Sequence, residues 1–284
     1  MAVDTALIQQ YSDNIMLLVQ QKTLKLAPTV TLKPNCTGEV SFQDQLASED
    51  ADEKLARNEK VRNTDPDYAR RAIYPRYFYK APLVDNMDKV LLAKDPTSEI
   101  VQNNAAALAR AKDEVIGLAF HATAKGGKTG TTDYDLSGTS LIAAGATGLN
   151  MTKIRSAKKV LDENEVEAEN RHFAISAEQV EDLLAVTEVT SVDYANVKAL
   201  VSGQPGTICG FNFVQSERLP VDGSDARKCA AYHKSGVVLG VWIDLKASID
   251  IMPGIHFSAQ IYAGQSYGAT RLEEKKVVQV LCVE

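Results

Sequence analysis

A glycine-rich stretch carries the residues with the clearest chemical potential. In ATAKGGKT (122–129), Lys128 and Thr129 follow two glycines, which approximates a loop whose amides and lysine hold phosphate. That chemistry needs a strand before the loop and a helix that opens at the lysine and threonine. Here a predicted long helix precedes the loop, and GTTDYDLSG after it is a poor helix start. We predict a flexible loop. A P-loop nucleotide hydrolase using Lys128 and Thr129 is the alternative, which Lys128→Ala tests.

A second stretch, GQSYG (264–268), matches the pattern of a nucleophilic serine at Ser266. In hydrolases with that pattern the catalytic histidine follows the serine along the chain. The last histidine of this chain is His256, which precedes it. A β-strand containing two glycines is therefore predicted instead.

The remaining polar residues form no metal-binding pattern. The four histidines, His121, His172, His233 and His256, are isolated from one another. We predict that they are interface or helix-end residues. The acidic run DENEVEAENR (162–171) lacks the ligand spacing and glycine of a calcium loop, so a solvated turn is predicted. No catalytic residue, metal or cofactor is predicted, and we expect no enzymatic activity.

Composition excludes several classes of protein. The chain has 284 residues, 45% hydrophobic and 24% charged, which is typical of globular proteins. A net charge of -6 argues against a nucleic-acid reader, because phosphate binding needs a basic surface. No stretch reaches the roughly 18 apolar residues of a membrane span. The four widely spaced cysteines predict free thiols in a reducing compartment.

Helical periodicity is strongest over residues 95–124. Asp95 is a good N-cap with Pro96 at the first helical position, and the helix is predicted to run to Ala122. Its predicted apolar stripe comprises Leu108, Ala111, Val115, Leu118 and Ala122. Other predicted helices cover 4–22, 151–165, 177–186 and 192–203.

Strand patterns occupy two parts of the chain. TGEVSFQD (37–44) and the aromatic stretch 70–83 predict strands, although Pro75 restricts the latter to an edge or a bulge. Glycine and threonine over 125–140 predict loops or short hairpins. Further strands are predicted at 172–176, 207–216, 229–243, 247–252, 256–264 and 275–283.

Between the first two strand regions lies EDADEKLARNEKVR (49–62), which we call the tongue. It holds nine charged residues in fourteen: Glu49, Asp50, Asp52, Glu53, Lys54, Arg57, Glu59, Lys60 and Arg62. Because a lone two-stranded hairpin is only marginally stable in water, this projection needs support from another surface.

The order of these elements resembles the major capsid proteins of tailed bacteriophages, the Hong Kong 97-type fold. Local sequence carries the resemblance as well, in the stretch 172–220 with its GFNFVQSERLP strand, in AAYHKSGVVLGV (230–241) and in the terminal 267–284. The resemblance covers nearly the whole chain.

The resemblance implies an α+β, Hong Kong 97-like capsid fold with four parts. Residues 1–35 would form an N-terminal arm, and 36–82 an extended β-hairpin loop. Residues 83–130 and 247–284 would form a peripheral domain with a spine helix, and 131–246 an α/β axial domain.

The same resemblance implies a structural subunit that self-assembles, as hexamers and pentamers, into an icosahedral head shell around double-stranded DNA. The nine charged tongue residues become candidate contacts between subunits. Expected partners are copies of the chain, a separate scaffolding protein, a portal and non-specifically contacted DNA, with no membrane. The expected location is the virion, after assembly in the host cytoplasm. An encapsulin-type compartment subunit, which shares the fold, is the nearest alternative.

Overall fold

The computed structural model describes residues 21–49, 51–54, 57, 60, 61, 63, 65–85, 97–185 and 207–284. The helices of this part are α1 (Thr97–Ala119), α2 (Met151–Glu163) and α3 (Ala177–Ala185). Its strands are β1 (Thr31–Lys33), β2 (Ser41–Leu46), β3 (Tyr68–Ile73), β4 (Arg76–Lys80), β5 (Leu83–Val84), β6 (Ala124–Gly126), β7 (Thr132–Tyr134), β8 (Leu141–Ile142), β9 (Arg171–Ile175), β10 (Thr207–Ile208), β11 (Phe211–Gln215), β12 (Ala226–His233), β13 (Val237–Met252), β14 (Ser258–Arg271) and β15 (Val277–Val283). The predicted helix 192–203, and 4–20 of the predicted helix 4–22, lie outside the described residues.

The long helix α1 confirms the strongest helix prediction, but its buried face differs from the predicted stripe. The helix ends at Ala119 instead of Ala122, and both Leu118 and Ala122 are exposed. The buried face centres on Ile116 and includes Asp113, which is fully buried. The Asp113 carboxylate accepts hydrogen bonds from the backbone amides of residues 25 and 26, at 2.9 and 3.1 Å. The helix therefore turns a charged residue inward to hold the connector that precedes β1.

A six-stranded sheet of mixed direction has the order β10-β11-β9-β12-β15-β8. Helices α2 and α3 pack on one face, and a core forms from Ile154, Ala157, Leu161, Phe173, Val180, Leu183, Phe211 and Val280. The start of α2 is capped by Asn150, whose side chain accepts from the Lys153 amide. Both helices confirm the predictions: α2 ends two residues early, and α3 follows its prediction as far as the described residues reach, at Ala185.

The last strand, β15, is fixed at its end by the Glu284 carboxylate. Arg227 donates to both carboxylate oxygens, from Nε at 2.8 Å and from a terminal nitrogen at 2.7 Å. The Ser176 hydroxyl and the Gln179 amide donate to Oε1 as well. These contacts, led by Arg227, lower the pKa of Glu284 from 4.5 to about 2.

Replacing Glu284 with glutamine is expected to destabilise the subunit by about 1 kcal/mol at pH 7, because charge-assisted hydrogen bonds are lost. Since the folded pKa of Glu284 is depressed, its contribution is complete above about pH 4.5 and is lost as the pH falls towards 2. Urea unfolding of unassembled subunits at pH 7, 4 and 3 measures this. The difference in unfolding free energy between wild type and Glu284→Gln should become smaller as the pH falls. A difference that stays constant would contradict a stabilising role of the ionised Glu284 carboxylate.

The second sheet has the order β1-β13-β14-β4. A fifth strand, β5, also pairs with β14, on the same side as β4. Helix α1 crosses it and buries Val115, Ile116 and Phe120 against Leu239 and Tyr267. The same cluster includes Tyr232 and Val277 from the opposite face of the six-stranded sheet. The C-terminal half of α1 therefore joins the two sheets through one core.

A four-stranded sheet, β2-β3-β6-β7, carries the tongue, which connects β2 and β3. Tyr74 and Pro75 separate β3 from β4, and the chain passes there from this sheet to the second one. The edge position predicted from Pro75 holds for β4, which is an edge strand of the second sheet, and not for β3, which lies between β2 and β6. The aromatic stretch 70–83 is therefore divided among three strands. The hairpin β6–β7 confirms the short hairpin predicted within 125–140.

This change of sheet requires a glycine at position 268. A Cβ at Gly268 would lie 2.0 Å from the Tyr74 carbonyl oxygen, which is backbone and cannot move aside. Gly268→Ala should therefore cost about 1–3 kcal/mol of unfolding free energy. Gly138→Ala is the matched control, because nothing lies within 4 Å of its added Cβ. Equal stabilities of the two variants in urea would contradict this packing.

Candidate assembly surface

The tongue extends beyond the ladder that supports it. Strands β2 and β3 pair from Ser41 opposite Ile73 to Leu46 opposite Tyr68, and the Ala47 amide adds one bond to the Asp67 carbonyl at 2.9 Å. No later backbone bond joins the two sides within the described residues. The tongue itself is therefore a projection with no ladder of its own in that part of the chain.

The charged tongue residues that the structure describes are exposed on the surface of their own subunit. Six of the nine predicted contact residues are described, and all six are exposed: Glu49, Asp52, Glu53, Lys54, Arg57 and Lys60. Across the described ranges none of these six makes an ion pair or a side-chain hydrogen bond. Asp50, Glu59 and Arg62 lie outside the described residues. The six described charged groups are thus available to another surface.

Apolar side chains near the tongue were not identified as contacts from the sequence. Val61 is 89% exposed, and Tyr68 and Leu46 at the end of the ladder are 73% and 63% exposed. Only Val61 has charged residues on both sides, so the sequence carries little signal for this exposure. Together with the charged residues they make the projection amphiphilic.

The base of the hairpin is fixed to the body through Arg71. Its guanidinium donates to both Glu274 oxygens, at 3.0 and 2.8 Å, and its Nε donates to the Leu272 carbonyl. The guanidinium carbon also lies 3.5 Å from the centre of the Tyr134 ring. Arg71 is buried, so the hairpin leaves the body in a defined direction.

A second exposed apolar region lies at the far ends of β13 and β14. We call residues 243–266, which include the turn between these strands, the outer hairpin. Its exposed apolar side chains are Ile243, Leu245, Ile249, Ile251, Ile255 and Phe257. Beside it, Tyr77 and Tyr79 of the edge strand β4 are exposed, and Tyr79 stacks on Tyr262. Exposed apolar patches of this kind mark contact surfaces.

The phosphate-loop-like stretch at Lys128 and the serine-nucleophile-like stretch at Ser266 adopt structures that do not suit catalysis. Lys128 and Thr129 lie in the turn between β6 and β7, with no helix opening behind them. Ser266 lies inside β14, paired with Tyr77 and with Ile243, and is buried. The predicted loop and the predicted strand are both confirmed.

One of the four histidines is held at both ring nitrogens by contacts within the fold. His121 follows the end of α1, as predicted, and its ring nitrogens lie 3.1 Å from the Gln279 side chain and from the Lys228 carbonyl. Burial lowers the pKa of His121 to about 4.

Within the described ranges no group of three or more His, Cys, Asp or Glu side chains could hold a metal ion. None of the helices in that part of the chain is long and apolar enough to cross a membrane.

The chain is similar to a known protein family and to several solved structures. A family model described as phage capsid protein matches residues 3–284. No curated protein sequence matches the chain. Among solved structures, the capsid of cyanophage P-SCSP1u is similar with a TM-score of 0.80 at 16% identity, covering 100% of this chain and 95% of that one. A structure of Mycobacterium phage Che8 gives a TM-score of 0.74 at 20% identity, covering 98% of each chain. The acid-stable capsid structure of Helicobacter pylori bacteriophage KHP30 gives a TM-score of 0.76 at 12% identity, covering 99% of this chain and 96% of that one.

Proposed function

The chain belongs to the family of phage capsid proteins and is a structural subunit of a capsid shell with the Hong Kong 97-type fold, and we propose a contact by which it assembles. In this proposal the tongue of each subunit rests on a neighbouring copy. The observation that carries the proposal is that the six described charged residues of the tongue are exposed and unpaired within the described chain. A projection without its own core gains stability only from an external surface.

The chemistry of the tongue suits a reversible contact. Five acidic and four basic residues can meet a neighbouring surface of mixed charge. Each exposed ion pair contributes about 0–1 kcal/mol, so a single wrong contact dissociates readily. Many copies in a closed symmetric array add these small contributions, and a complete shell is stable.

Reversing two tongue charges tests the electrostatic part of this proposal. Arg57→Glu with Arg62→Glu should raise the subunit concentration needed for assembly about 3- to 30-fold, if each reversal costs up to about 1 kcal/mol. The defect should change with added salt, because exposed charges are screened over about 8–10 Å. Light scattering at several salt concentrations measures it. Arg57→Lys with Arg62→Lys keeps the charge and should assemble like wild type. A defect independent of salt would indicate packing instead.

We also propose the domain division implied by the capsid fold, with 1–35 as arm, 36–82 as extended loop, 83–130 and 247–284 as peripheral domain, and 131–246 as axial domain. The pairing of β15 with β12 favours counting residues 277–283 with the axial part, which shortens the second peripheral segment to 247–276, since both strands belong to the six-stranded sheet. Limited proteolysis of unassembled subunits tests the division, because cuts should concentrate near residues 35, 82 and 130, whereas the boundary at 246 lies inside β13 and should resist cutting.

The packaged cargo is proposed to be double-stranded DNA, contacted without sequence preference. The net charge of -6 supports this, because a strongly basic inner wall would oppose packaging and release. A separate scaffolding protein and a portal are further proposed partners, and the proposed place of assembly is the host cytoplasm. We propose no catalytic activity, so the protein should not turn over ATP, whereas ATP turnover that Lys128→Ala abolishes with assembly intact would favour the nucleotide hydrolase.

Electron microscopy of recombinant particles, with mass spectrometry of their contents, tests the function as a whole. Closed icosahedral shells that hold nucleic acid or are empty support the viral role. Shells that retain a cargo enzyme through a short peptide would support a compartment instead.

A further inference from the structure

The outer part of β13 has an open edge. Near its start, β13 pairs with β1 opposite residues 238–240, and the Cys36 amide donates to the Val241 carbonyl at 2.9 Å. From Ile243 to Met252, β14 is the one strand beside β13 within the described ranges. An unpaired edge of this length can hydrogen-bond to a strand of another chain.

Both faces of this segment are open as well. A β-bulge interrupts β13 between Ile243 and Lys246, and from Lys246 onward the side chains alternate with a period of two. One face of this regular part carries Ala247, Ile249 and Ile251, all exposed, and the other carries Lys246 and Asp250, which are exposed, and Ser248, which is half-buried. Ile249 and Ile251 are 58% and 65% exposed, which is unfavourable for isoleucine in a free subunit. A partner that covers the edge would also cover these side chains.

The sequence of this edge is complementary to itself in one antiparallel register. With Ser248 opposite Ser248 of a second copy, Lys246 of each copy faces Asp250 of the other. The same register places Ala247 opposite Ile249. Two opposite-charge pairs and two apolar pairs then form at once, and no two like charges are opposed.

We propose that the outer hairpins of two copies pair edge to edge through residues 244–252, antiparallel and centred on Ser248. The contact is isologous and requires a two-fold axis, which an icosahedral shell provides between its subunits. The second copy is the favoured occupant because the charge pattern matches its own reverse. The inference rests on the capsid function and adds a contact separate from the tongue.

Disulfide trapping tests the register directly. Opposed residues of antiparallel strands have Cα atoms about 4.5–5.5 Å apart, which suits a disulfide. Ser248→Cys should therefore give cross-linked dimers from oxidised particles on non-reducing gels. The natural Cys36, Cys229 and Cys282 are buried and Cys209 is half-buried. Asp244→Cys is the control, because the two copies of residue 244 would lie about 26 Å apart. Monomers only with Ser248→Cys, or equal dimers with Asp244→Cys, would overturn the proposal.

A charge swap tests the complementarity without cysteines. Lys246→Glu or Asp250→Lys alone opposes like charges twice at each contact, and should raise the concentration needed for assembly about 5- to 30-fold. The double variant restores both pairs and should assemble within about twofold of wild type. Normal assembly of the single variants, or a double variant that is not rescued although circular dichroism shows it folded, would overturn the register. Whether the wild type forms closed shells tests the capsid function on its own. A failure of the capsid function can therefore be distinguished from a failure of the edge-to-edge contact.

Discussion

Deleting residues 49–62 should leave a soluble, folded subunit that forms no stable shells. The deletion removes no residue of the described core, and the ladder between β2 and β3 ends before it, at Ala47 and Asp67. The unfolding free energy of the subunit should therefore change little. Assembly should be lost almost completely, because every subunit of the shell loses the same contact.

Circular dichroism and urea unfolding measure the first expectation, and size-exclusion chromatography with electron microscopy measures the second. A short glycine-serine linker joins Ser48 to Asn63 in the deletion variant. The matched control keeps the tongue but replaces its two arginines with lysine, and should form shells. Deletion particles of normal size and stability would refute docking of the tongue on a neighbour.

Replacing Arg271 with methionine should produce the largest loss of subunit stability, about 3–5 kcal/mol. Arg271 is fully buried at the end of β14. One guanidinium nitrogen donates to the Phe120 and Ala122 carbonyls, at 3.1 and 2.9 Å, and another donates to the Tyr134 carbonyl at 2.9 Å. Methionine fills a similar volume but leaves three carbonyls without this donor. An unsatisfied buried group costs about 1–3 kcal/mol.

The reason for an arginine at this position lies in the end of α1. The chain leaves α1 through a turn in which the carbonyls of Phe120 and Ala122 accept from Arg271, and the same side chain holds the β6–β7 hairpin through the Tyr134 carbonyl. Burial lowers the pKa of Arg271, whereas the nearby Glu274 opposes that shift. Urea unfolding of unassembled Arg271→Met measures the loss. Arg155→Met, on the exposed face of α2, is the control and should change stability by less than about 0.5 kcal/mol. A loss below 1 kcal/mol for Arg271→Met would contradict this role.

Much of the fold was predictable because its elements have strong local signals. Helix α1 follows from alanine-rich periodicity, and the β2–β3 hairpin from alternating residues on both sides of a polar stretch. The predicted stripe of α1 was wrong at Leu118 because burial depends on what the helix meets. It meets the connector at Lys25 and Leu26, so Asp113 faces inward to accept their amide hydrogens.

Contacts between distant residues could not be predicted from local patterns. Arg71 and Glu274 are separated by 203 positions, and neither has a sequence neighbour that indicates the other. Pro75 signals a break in pairing but does not say that the chain will enter another sheet. In the same way, the pattern in ASIDIM (247–252) predicts a strand but not its surroundings, and the structure leaves four of its six side chains exposed. Burial of such a strand depends on partners outside the chain.

The tongue was predictable as a projection because charge density is a property of the sequence alone. Its apolar neighbours Leu46, Val61 and Tyr68 were missed because exposure becomes visible only when the ladder and its end are known. Both results agree with a subunit whose surfaces were selected for assembly.

A cryo-electron microscopy reconstruction of the assembled particle tests the central claim most directly. We predict a closed shell in which density for residues 49–62 lies on an adjacent subunit, with the charged side chains near groups of opposite sign. A tongue folded back onto its own body, or a protein that stays monomeric at high concentration, would contradict the account.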